Sequence, residues 1–216
     1  MDNVNNSADS AIHEAAKKAS SSDNIREQVR AITLKALSER QLDKENITAV
    51  VKSVIEGVSE GLGESSEKLK PQLQASMSGI DDALSKGAIA AKLATEEALG
   101  RAEQFAEKDL KKALEDFKHL EASFIDTINT VAKNSNTVVS SALDEIASHL
   151  KNTGTASGKE ALEAVSSLSQ SLLDVGKGTV DEISTAAQKA TGHFSHIASG
   201  ILSGMADALS ADKSKP

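Results

Sequence analysis

The stretch LKPQLQASMSGIDDALSKGAIAAKLATEEALGRAEQFAEKDLKKALEDFKHLEASFIDTINTV, residues 69–131, decides how this chain is read. An apolar or small residue returns on nearly every helical turn: Leu69, Leu73, Met77, Ile80, Leu84, Gly87, Ala91, Ala94, Ala98, Ala102, Ala106, Leu110, Ala113, Phe117, Leu120, Phe124, Ile128 and Val131. These 17 steps over 62 residues give about 3.65 residues per turn, nearer the free α-helix or an eleven-residue repeat than the heptad value of about 3.5. With no proline between Pro71 and Pro216, the spacing predicts one long, nearly straight amphipathic helix running through residues 66–151.

Composition says what such a helix is for. The chain has 216 residues, 39% of them hydrophobic, yet no Trp, no Tyr and only four Phe. Alanine buries little area, and burial returns only about 25 cal/mol per Å². Packing is therefore expected from many thin contacts along rods. A net charge of −8, with acidic and basic residues mixed in every region, argues against nucleic acid, which needs clustered cations. The densest basic cluster, Lys108, Lys111 and Lys112, alternates with acids and reads as a solvated face with pairs such as Glu107 to Lys111. The absence of cysteine removes disulfides and thiolate chemistry and fits a cytoplasmic address. The polar start carries no secretory pattern, and no window is apolar for long enough to span a bilayer.

Outward from the long helix, residues 1–22 read as a polar tail with a short Ala-rich helix. Residues 23–151 read as a helical hairpin. Asp43 is a plausible N-cap within its first arm, and Gly61 and Gly63 close that arm's greasy run Val50, Val51, Val54, Ile55, Val58, Leu62. Residues 152–158, with Gly154 and Gly158, read as a linker, 159–209 as a C-terminal amphipathic helix and 210–216 as a tail. Residues 64–133 hold 23 charged side chains, whereas 153–216 hold 12, so the last helix has a hydroxylic polar face suited to close packing.

No constellation favours chemistry. His193 with His196, and Glu145 with His149, share helix faces, but the Glu-x-x-His pairs of carboxylate di-iron bundles are missing, so no metal and no cofactor is expected. Adjacent acids such as Asp81 and Asp82 point about 100° apart on a helix and do not converge on one atom. Without a phosphate loop or nucleophile motif, the chain is read as no enzyme and as having no small-molecule substrate. Gly57 to Gly61 and Gly200 to Gly204 match the small-xxx-small pattern, but in a chain this rich in Ser, Ala and Gly such matches arise by chance.

The segment AIAAKLATEEALGRAEQFAEKDLKKALEDF, residues 88–117, resembles the phasins, bacterial helical proteins that coat storage-polyester granules, and a weaker similarity extends over 66–150. The resemblance implies a helical, oligomerising, cytoplasmic surface protein without enzymatic activity. The chain lacks the Lys- and Ala-rich tail with which some phasins bind DNA. The same segment is similar to the eleven-residue repeats of desiccation-protective proteins, although those are more polar than residues 25–62 here.

The expectation is thus an all-α, elongated, up-and-down bundle of long amphipathic helices, open to coiled-coil-like self-association. Its role is to coat or organise a hydrophobic granule or lipid surface, with the surface and further copies of itself as partners. The contact residues are Val51, Val54, Ile55, Val58, Leu62, Phe117, Leu120, Phe124, Ile128, Phe194, Ile197 and Ile201. Two alternatives remain open: a self-assembling scaffold with no surface ligand, and a pore-forming or effector protein inserting residues 192–209.

Overall fold

The computed structural model describes residues 2–40, 42–63, 68–100, 115 and 118–175. Among them every regular element is α-helical: α1 Asp2–Ala19, α2 Ile25–Ser38, α3 Lys44–Leu62, α4 Leu69–Gly100, α5 Leu120–Asn134, α6 Thr137–Thr153 and α7 Ala156–Val175. They pack as an all-α up-and-down bundle around one apolar cluster.

The helix boundaries have local causes. Asp43 caps α3, its carboxylate accepting from the Asn46 N–H at 2.8 Å, and Gly63 ends it at φ +64°, a left-handed conformation that favours glycine. Within α2, Ile25, Val29, Leu34, Ala36 and Leu37 are buried, and the buried Thr33 hydroxyl donates to the Val29 carbonyl at 2.8 Å. In α3 the β-branched residues Val50, Val51, Val54, Ile55 and Val58 fall on one helical face, so position rather than propensity decides the element.

Contacts between helices fix their directions. Asp9 near the start of α1 pairs with Arg40 just beyond α2, at 2.6 Å, so these two run antiparallel. Gly57 lies beside His13 and Ala16, and Gly61 beside Lys17 and Ser20, so α1 and α3 run parallel. At the far end of α1, Gln72 reaches the Ser20 carbonyl, while Arg26 grips Asp82 through two nitrogens at 2.9 and 3.1 Å, setting α4 alongside α2. The first four helices thereby alternate in direction. Helix α4, 32 residues and about 48 Å long, also carries α7 in parallel, with Asp81 meeting Ala156 and Ser157 and Glu96 meeting Ser167.

Several boundaries differ from the sequence reading. Residues 66–151 are not one helix: α5 starts after a turn at His119 and stops at Asn134, and Ser135 and Asn136 are extended before α6. The Asn136 side chain accepts from the N–H groups of Val138 and Val139, at 3.1 and 3.0 Å, which makes the break inexpensive. The apolar stripe runs on across it because each piece turns its own greasy face to the common core. The first arm of the expected hairpin likewise divides, into α2 and α3. The polar residues 2–10 belong to α1, tied down by the Asp9–Arg40 pair. The linker shrinks to Gly154, at φ +77°, and Thr155. The expected helix beyond residue 175, and Phe117, lie outside the described residues.

Candidate functional site

Of the residues expected to meet a foreign surface, Val51, Val54, Ile55, Val58, Leu120, Phe124 and Ile128 are all buried, none more than 5% exposed. Leu62 is half-buried against them. In the closed bundle these side chains cover each other, α3 against α5 and against α1, α2 and α4. Phe194, Ile197 and Ile201, like Phe117, lie outside the described residues. The large apolar side chains that the described surface shows are Leu93 on α4, Val138 on α6 and Leu162 on α7, the last 68% exposed. No described helix is long and apolar enough to cross a membrane.

Two polar grooves flank the corner between α5 and α6. The larger, about 730 Å³, follows α6 and is lined by Ser135, Thr137, Ser140, Ser141, Asp144, Glu145 and Ser148. The smaller, about 280 Å³, lies among His13, Glu56, Ser59, Glu60, Val131, Asn134 and Val139. Its charges are already spoken for: Glu60 accepts from Lys17, and its Oε2 stands 3.2 Å from His13 Nε2. The hydrogen bond from Lys17 holds the Glu60 carboxyl below the usual carboxylate range, and the same bond raises Lys17. A carboxylate kept ionised in this way is poorly matched to proton transfer near neutrality. Glu145 pairs with Lys70 across α4 and α6 instead of joining His149. Among the described residues no three His, Asp or Glu side chains gather where they could share a cation; His193 and His196 lie outside them.

Two features escaped the sequence reading. Gly57 and Gly61 are not chance matches, because a Cβ at Gly57 would stand 2.2 Å from the His13 carbonyl oxygen and one at Gly61 2.5 Å from that of Lys17. They let α1 and α3 approach backbone to backbone. The second feature is a junction of three helices at the start of α7. Asp81 of α4 accepts from the N–H groups of Ala156 and Ser157, at 2.8 and 2.9 Å. Glu121 of α5 accepts from the Thr155 N–H and hydroxyl, at 2.8 and 2.9 Å, and the Gly158 N–H donates to that same hydroxyl oxygen at 2.9 Å. The first-turn donors of α7 are thus all satisfied, largely by carboxylates 34 and 75 residues away in sequence. Local pattern has no signal for partners so remote.

No curated protein and no solved structure matches the chain. A family model does match the chain across residues 2–211, and the chain belongs to that family, DUF6781, a family of unknown function.

Proposed function

We propose that this is a non-enzymatic protein that coats or organises a hydrophobic granule or lipid surface in the cytoplasm, presenting to it the helix faces that line its core when free. The observation that carries this reading is where the adhesive surface lies. The continuous apolar faces of α3 and α5 are buried against the bundle, while Leu93, Val138 and Leu162 outside are scattered over three helices. Exchanging one apolar environment for another costs little in hydrophobic free energy, since the same area stays out of water. Self-association would use the same faces.

The chain contains no cysteine, so a pair can be introduced cleanly. Lys70 and Glu145 meet across α4 and α6, and Lys70→Cys with Glu145→Cys, joined by a short bismaleimide, ties the α5–α6 hairpin to the first four helices. Flotation with neutral-lipid emulsion or polyester particles should recover the untied variant on the particles and leave the tied one in solution. Equal binding of both would mean that opening is unnecessary. Failure of both, with a stable oligomer indifferent to particles, would replace the coat by a scaffold.

A further inference from the structure

The apolar cluster draws large side chains from most of the bundle, Leu and Val from α2 and α3, Met77 and Ile80 from α4, Phe124 and Ile128 from α5, Leu143 and Ile146 from α6. Helix α7 contributes Ala161. Its other buried positions in the described region are Ser157, Gly158 and Ala164, and its Leu162 points to solvent. Alanine and glycine faces bury little apolar area, so over residues 156–167 of α7 hydrophobic adhesion to α4 is weak. Among the described side chains, what concentrates at this interface is polar, namely the paired carboxylates at its first turn and the Ser167 hydroxyl donating to Glu96 at 3.0 Å.

We infer that the first part of α7, residues 156–167, is a separately detachable segment, latched to α4 and α5 by the Asp81 and Glu121 carboxylates rather than fixed by apolar burial. Charge-assisted hydrogen bonds are roughly twice as strong as neutral ones, and both acids sit at the positive end of the α7 dipole. No ion pair from a described lysine, arginine or histidine competes for either carboxylate. Thr155 completes the fastening: its hydroxyl donates to Glu121 while its oxygen accepts from Gly158, so in the 3.2 Å contact with Ser157 it is the serine that donates. Gly158 is the clearance for this arrangement, because a Cβ there would stand 2.5 Å from the Glu121 carboxyl carbon. Release frees the two ends of the α4 strip that α7 touches, Asp81 and Glu96.

Hydrogen exchange on the full chain, without any particle, tests the latch independently of the surface reading. In Asp81→Ala/Glu121→Ala the amides of residues 160–167 should exchange at least ten-fold faster, since a freed helix of this length is marginal in water. Those of α3 residues 50–58 should keep their protection. Gly158→Ala, which leaves both charges in place and displaces only Glu121, should accelerate the same α7 amides to a smaller degree and serves alone if the double variant does not fold. Unchanged exchange in α7, or equal acceleration of α7 and α3, would overturn the inference.

Discussion

Two glycines in helices show how far one methyl group can matter. At Gly57 an added Cβ meets the His13 carbonyl oxygen at 2.2 Å and the Ala16 Cβ at 3.0 Å, neither of which is a flexible side-chain end. Gly57→Ala should therefore destabilise the bundle by about 1–3 kcal/mol through overpacking. At Gly87 nothing among the described residues lies within 4 Å of the same position. There the change to Ala should instead raise stability by about 0.5–1 kcal/mol, the ordinary helix preference. Urea denaturation of the two variants beside the parent checks both signs. A sequence shows the two residues alike, because the distinction rests on a neighbouring backbone some 44 positions away.

At the scale of helices, the element type was legible and the joints were legible only in part. Apolar positions at i, i+3, i+4 and i+7 identified α2 through α6, and Asp43 and Gly63 announced their roles by residue type alone. Asn136 announced its own less clearly, since the stripe from Phe124 through Val131 to Val139 stays apolar on both sides of it. Periodicity reports that a face is buried; it is silent on whether the chain turns between two buried faces. Asn136→Ala removes the acceptor for two N–H groups of α6 and should cost about 1 kcal/mol. Thermal unfolding followed by circular dichroism would register it, and Asn136→Asp or Asn136→Ser should restore most of the loss.

Over the whole molecule, seven of the residues marked in the sequence as adhesive, Val51, Val54, Ile55, Val58, Leu120, Phe124 and Ile128, are folded inward. Val51, Ile55 and Phe124 are equally greasy whether they face a particle or a neighbouring helix, so composition and spacing cannot separate the two destinations. The junction at Thr155 was wholly hidden, since its acids come from two other helices. The parallel seating of α1 on α3 carries a further consequence. With its two glycines, α3 offers a furrow shaped to the backbone of residues 13–20, and the connection from α1 crosses to α2 through only a few residues. A chain beginning at residue 21 would keep that furrow empty, and a synthetic peptide of residues 2–20 supplied separately should fill it and recover the lost thermal stability. By the same geometry two full-length copies could trade their first helices, a domain-swapped pairing that needs no new contact surface.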